Sequence, residues 1–167
     1  MKNIVLIGMM GSGKSSAAKI LAQRLKIPAF ATDDLVEEKA GKKVKDIVAE
    51  KGWPYFRQLE HDAVAALSAK KGVIIDCGGG VVLDPKNLNL LKANGIIFYL
   101  DAPPKVLFQR LKNDPLRPLI QVADPLAELE KIYKERLPLY SQADVTLDAS
   151  DPSLEGPVAQ ILAKVKS

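Results

Sequence analysis

The apolar run Asn3 to Ile7 leads without a break into Gly8-Met9-Met10-Gly11-Ser12-Gly13-Lys14-Ser15-Ser16, and a helical pattern continues from Lys14 to Leu25. A short buried strand, a glycine-rich turn and a helix in direct succession make the first half of a crossover unit, so the chain is committed to a parallel sheet. The same rhythm returns at Val73 to Cys77 with a helix from Pro85 to Leu91, and at Ile96 to Leu100 with a helix from Pro103 to Leu111. A short strand at Val145 to Leu147 precedes a terminal helix from about Ser153 to Val165. Unbroken apolar runs such as Ile96-Ile97-Phe98-Tyr99-Leu100 fit strands covered by helices on both faces.

The middle of the chain reads as helical, punctuated by Gly41 and Gly52, with Pro54 in the first turn of a helix running to about Lys70. Phe56, Leu59, Ala63, Ala66 and Leu67 form its expected buried stripe. Lys42-Lys43-Val44-Lys45 reads as a solvated helix start, and His61, the only histidine, as an exposed helix residue without a partner. Residues 112–125, with three prolines and no period, read as a mobile loop.

A length of 167 residues with 47% hydrophobic and 26% charged side chains supports one soluble domain, 1–167. The N-terminal apolar run is too short to span a bilayer, so a membrane role is not expected. A single cysteine, Cys77, fits a reducing compartment and points to the cytoplasm. The net charge of +4 is dispersed, which disfavours nucleic acid and suits a protein whose ligands are anions. No long exposed apolar stripe is evident, and a monomer is expected.

Gly8 to Ser15 matches G-x-x-x-x-G-K-[ST] between a strand and a helix, the context that gives this P-loop pattern its meaning. Backbone amides of Gly11, Ser12 and Gly13, with the hydroxyl of Ser16, lie where a helix N-terminus cradles phosphates. Lys14 reaches the β- and γ-phosphates and Ser15 ligates Mg²⁺. The bland alternative is a glycine-rich turn with an exposed lysine. Asp76, closing the run Ile74-Ile75-Asp76, sits at the carboxyl end of a neighbouring strand and is a second candidate for Mg²⁺; the alternative is a turn cap. Asp76 to Gly79 also reads D-x-x-G, but no guanine-reading [NT]-K-x-D segment accompanies it. Three successive glycines, Gly78, Gly79 and Gly80, let a ligand approach exposed backbone amides, which implies a second substrate.

In order along the chain, GMMGSGKSS, TDDLVEE, YFRQLE, CGGG, PLRPL and ERLPLY resemble the landmarks of the shikimate kinase family, from Lys2 to about Ile161. The resemblance implies a five-stranded parallel sheet in the order 2-3-1-4-5 flanked by helices, with a mobile lid at about 112–125 and an acceptor-binding region at about 31–62. It implies that ATP, with Mg²⁺, phosphorylates the 3-hydroxyl of shikimate in aromatic amino-acid (chorismate) biosynthesis. By position, Asp33, Arg57, Gly78, Gly79, Gly80 and Arg136 correspond to residues that bind shikimate, and Arg117 to a lid arginine reaching the phosphates. Arg110 and Pro152 resemble the pair that sandwiches adenine.

Chemistry agrees with these assignments. Guanidinium groups pair with carboxylates through two parallel hydrogen bonds, which suits Arg57 and Arg136 to an acidic acceptor. Asp33 accepts from ring hydroxyls and serves as base, and Glu60, one helical turn from Arg57, orients that arginine. Taken singly, Arg57 with Glu60 also reads as a surface ion pair, Arg136 as a helix-end arginine, Asp33 as a helix cap, and Arg117 as part of a rigid proline-bounded loop.

The chain departs from the family where D-x-D is usual, since the aligned triplet is Ala31-Thr32-Asp33. Two further readings therefore stay open. One is a P-loop kinase of another small hydroxy acid or a nucleoside monophosphate; the other is a nucleotide-binding module with impaired catalysis.

Overall fold

In a computed structural model the described residues are 1–112 and 123–166. Five parallel strands form one sheet: β1 (Asn3–Ile7), β2 (Ala29–Ala31), β3 (Ile74–Asp76), β4 (Gly95–Asp101) and β5 (Val145–Asp148). Their spatial order is β2-β3-β1-β4-β5, as the resemblance implies. The helices are α1 (Lys14–Leu25), α2 (Thr32–Ala40), α3 (Val44–Lys51), α4 (Trp53–Ser68), α5 (Pro85–Asn94), α6 (Pro104–Leu111), α7 (Pro125–Tyr140) and α8 (Glu155–Lys166).

Alternate residues of the central strands feed two separate cores, which is why those strands read as continuous apolar runs. Val5, Ile7, Ile75, Ile97 and Tyr99 pack with Val64 and Leu67 of α4, Leu88 and Leu91 of α5, Leu107 of α6 and Leu129 of α7. Ile4, Leu6, Ile74, Phe98 and Leu100 face the other way, onto Ala17 and Leu21 of α1 and Val158 and Ile161 of α8. A third, smaller cluster of Val36, Ile47, Phe56 and Ala63 joins α2, α3 and α4. The helix α3 starts at Val44 with Lys43 as its cap residue, in keeping with the basic run as a helix start.

Three expectations need correction. The buried stripe of α4 runs through Phe56, Glu60, Ala63, Val64, Leu67 and Ser68, while Ala66 points outward and Leu59 is only half-buried. A carboxylate occupies the stripe because its partners lie inside the fold, as described below. His61 is half-buried and not solitary: its Nδ1 lies 2.7 Å from Asn87 Oδ1, across the packing of α4 on α5. At the far end of the proline-rich segment, Pro125 opens α7 instead of belonging to a loop, with Asp124 accepting a hydrogen bond from the Ala127 amide as its cap. No described helix is long and apolar enough to cross a membrane.

Candidate active site

The carboxyl ends of β1 and β3 meet at the glycine loop. Gly13 takes φ +98° as it turns the chain into α1, and a methyl group there would lie 2.9 Å from Leu154. The positive φ demands glycine, and the contact with Leu154 sets the loop down against the β5–α8 connection. The first turn of α1 carries no acidic residue of its own, and the carboxylate that faces it is Asp76 of β3, bonded to Ser15.

Lys14 is the first residue of that helix, and it is not the exposed lysine of the bland alternative. It is only 9% exposed, and its Nζ donates to the carbonyls of Gly8 at 2.7 Å and Met9 at 3.0 Å. The ammonium is thus held over its own loop, where a phosphate entering the cradle meets it. Ser12 is buried with a hydroxyl that has no hydrogen-bond partner among the described residues, while Ser15 and Ser16 are exposed at the helix start.

The Ser15 hydroxyl donates to Asp76 Oδ2 at 2.7 Å. Among the described residues no three His, Cys, Asp or Glu side chains cluster as metal ligands. Mg²⁺ carried by a nucleotide needs only one or two protein oxygens, because phosphates and water complete its octahedron. The Ser15–Asp76 pair supplies oxygens of that hard type, so the residues present fit the ion.

At Gly78 the glycine run has a further use besides the one read in the sequence. The Gly78 amide donates to Thr32 Oγ1 at 2.9 Å, so it is spent inside the protein. What the missing side chains provide is room. A methyl group on Gly78 would lie 2.8 Å from Asp33 Oδ1 and 3.0 Å from Glu60 Oε2. One on Gly80 would lie 2.6 Å from Arg57 Cζ, and one on Gly79 would lie 3.6 Å from both Arg136 Nη1 and the Met10 amide. Asp33, Glu60, Arg57 and Arg136, drawn from three helices, therefore converge on three consecutive residues.

Arg57 donates to Glu60 Oε1 at 2.9 Å, with Glu60 1% exposed, so this is not the surface ion pair weighed above. Burial pushes the Glu60 carboxyl up, and the neighbouring Arg57 charge pulls it back. The Arg57 guanidinium also lies over the rings of Trp53 at 5.1 Å and Phe56 at 5.3 Å. Asp33 stands in the first turn of α2, and Arg136 one turn from the end of α7.

Tyr140, two residues past Pro138, was not singled out as a site residue. It is fully buried, its hydroxyl donates to the Gly79 carbonyl, and its ring stacks on Tyr99 at 4.9 Å. Arg110 is held by backbone: Nη1 donates to Gly11 O at 3.1 Å, and Nη2 to Ala149 O at 2.7 Å and Ser150 O at 2.9 Å. Pro152 is exposed two residues further on. Arg117, with most of the expected lid, lies outside the described residues.

A five-stranded parallel sheet in this order, with a lysine-bearing glycine loop between β1 and α1, is the framework of a P-loop kinase. Beside that loop lies a cluster of two arginines and two carboxylates. Residues 10–166 match the family model for shikimate kinase, and the chain belongs to the shikimate kinase family. It is 40% identical to a shikimate kinase from a Sulfurihydrogenibium species, over 99% of both chains. A shikimate kinase from a Synechococcus species is 48% identical over 85% of this chain and 75% of its own. Among solved structures, shikimate kinase from Acinetobacter baumannii in complex with shikimate superposes with a TM-score of 0.94 and 31% identity, covering 99% of this chain and 93% of that one.

Proposed function

We propose that this protein is a shikimate kinase that transfers the γ-phosphate of ATP to the 3-hydroxyl of shikimate, in the biosynthesis of aromatic amino acids. The observation that carries the reading is the meeting at Gly79, whose Cβ position is equidistant, at 3.6 Å, from Arg136 Nη1 and the Met10 amide of the phosphate loop. An acidic acceptor anchored by Arg57 and Arg136 thereby lies next to the phosphate cradle, as in-line transfer requires.

In this mechanism the amides of Gly11, Ser12 and Gly13, the hydroxyl of Ser16 and the Lys14 ammonium hold the phosphates. Arg57 and Arg136 pair with the shikimate carboxylate, and Glu60 fixes the Arg57 guanidinium in plane. Asp33 accepts the proton of the attacking hydroxyl as its oxygen bonds to the γ-phosphorus and the bond to the bridging oxygen of ADP breaks. Ser15 and Asp76 would hold Mg²⁺ carried with ATP, which would neutralise phosphate charge. Arg117 contributes its charge when the lid closes, and Arg110 and Pro152 border the adenine. The working unit is a monomeric cytoplasmic domain spanning 1–167, with neither nucleic acid nor membrane as a partner.

The test is ADP release with shikimate against a panel of other hydroxy acids and nucleoside monophosphates, with the product's phosphorylated carbon located by NMR. Shikimate is expected to be preferred by a wide margin. A better acceptor in the panel overturns the assignment, and nucleotide binding without ADP release under any acceptor identifies a binding module.

A further inference from the structure

Among the described residues, two that are not glycine have φ in the left-handed region, Lys26 at +56° and Leu154 at +57°. Lys26 caps the C-terminal end of α1, an exposed position where that conformation is ordinary. Leu154 stands at the front of α8, where no helix end calls for it. Its carbonyl accepts from the Val158 amide at 3.0 Å, and its own amide donates to Asp151 O at 3.2 Å. Glycine adopts this backbone without penalty, whereas the Cβ of a leucine is strained in it. Residues held in such conformations persist only where the surroundings over-determine them, and they gather at functional sites.

What leucine has and glycine lacks is a side chain, and here that side chain is buried against the phosphate loop. A methyl group on Gly13 would lie 2.9 Å from Leu154 Cδ2 and 3.0 Å from Leu154 Cδ1, so both ends of the leucine cover that glycine. Gly13 has a positive φ of its own, and its carbonyl accepts from the Ala17 amide at 2.9 Å to begin the ladder of α1. Its setting therefore fixes the loop and the first turn of the helix together. A glycine has the widest backbone freedom and no side chain to pack, so its restraint must come from what is packed against it. The other end of the loop is gripped from the opposite core: a methyl group on Gly11 would lie 2.9 Å from Leu111 Cγ, and Arg110 Nη1 donates to the Gly11 carbonyl.

We propose that Leu154 is a positioning residue of the nucleotide site, which restrains Gly13 in the conformation that presents the phosphate loop. The fold keeps a leucine in a glycine conformation because the side chain is needed there, and the strain accompanies a loop that is preorganised before the nucleotide arrives. The inference rests on the nucleotide-binding half of the function proposed above and is independent of the acceptor.

The experiment compares wild type, Leu154→Gly and Leu154→Met by calorimetric titration with ADP in Mg²⁺ and, separately, with shikimate. Glycine suits the backbone and removes the side chain, while methionine restores an unbranched apolar side chain of similar volume. Expected for Leu154→Gly is a loss of about tenfold in ADP affinity through a loosened loop, with shikimate affinity unchanged. Leu154→Met is expected to bind ADP nearly as wild type does. ADP affinity kept in Leu154→Gly, with only the thermal midpoint lowered, makes Leu154 a core residue and overturns the proposal. Equal weakening of ADP and shikimate overturns it too, since that marks a general loosening of the fold, as does a Leu154→Met variant no better than Leu154→Gly. Should Leu154→Gly not fold, Leu154→Ala is read in the same way. Wild type that binds no ADP at all fails the nucleotide reading itself, a separate result.

Discussion

Arg57 owes its position to an atom that is absent. The Cζ of its guanidinium lies 2.6 Å from where the Cβ of residue 80 would stand, and it is held there by the buried Glu60 carboxylate and the Trp53 and Phe56 rings. Gly80→Ala therefore tests the acceptor pocket without touching a charged group. The backbone at Gly80 has φ −96°, which alanine accepts, so the strain falls on the far end of a flexible side chain. The expected result is a KM for shikimate raised by about tenfold through a misplaced arginine, with stability lowered by no more than about 1 kcal/mol. Steady-state kinetics and thermal denaturation check it, and a large stability loss with unchanged KM contradicts it. At this scale the sequence was legible for placement: Lys14 and Ser15 stand in the first turn of the helix after the glycine loop, and Arg57 and Arg136 beside the glycine run. It was silent on burial: the enclosure of Glu60 and the folding of Lys14 onto its own loop come from elements far apart in the chain.

The helix α7 shows what an element adds to its residues. Arg136 and Tyr140 are one turn apart on it, and burial pushes the Tyr140 hydroxyl up while the Arg136 charge opposes the shift. Tyr140 links the helix to the glycine run through the Gly79 carbonyl and to β4 through its stack on Tyr99. Tyr140→Phe keeps the stack and removes the hydrogen bond, a loss of about 1 kcal/mol or somewhat more for a buried acceptor left without its donor. The KM for shikimate is expected to rise several-fold and that for ATP by clearly less, because Gly79 borders the Arg136 side chain but only the Met10 end of the phosphate loop. Kinetics with each substrate varied in turn decide it, and equal effects on both contradict a role at the acceptor side. The strands β1, β3 and β4 were readable as apolar runs because both faces are covered. The edge strand β2 was not, since Ala29–Ala31 is short and half-exposed, and of α7 only a helix end at Arg136 was weighed, because Pro138 normally argues against a helix interior.

At the scale of the molecule, the two cores lie on opposite faces of the sheet and are tied together at the nucleotide end by one side chain. Arg110 extends from α6, which is anchored by Leu107 and Leu111 in the first core, to the carbonyls of Gly11, Ala149 and Ser150. Ala149 and the nearby Leu154, which packs against Gly13, belong to the second core. The sequence suggested a partner for adenine here, and the structure adds a clamp that joins helix, phosphate loop and β5–α8 connection. Arg110→Ala is expected to cost about 1–2 kcal/mol, because three carbonyls lose a charged donor at a half-exposed site where water replaces part of it. For a chain of this length that lowers Tm by roughly 2–8 °C. ADP affinity is expected to fall by about tenfold, so the extra stabilisation by saturating ADP shrinks in proportion to the logarithm of that change. Shikimate, bound on the far side of the glycine run, is expected to bind as it does to wild type. Calorimetric scans with ADP or shikimate present separate the two effects, and equal weakening of both ligands rejects the division of the active site into a nucleotide end held by Arg110 and an acceptor end held by Arg57 and Arg136.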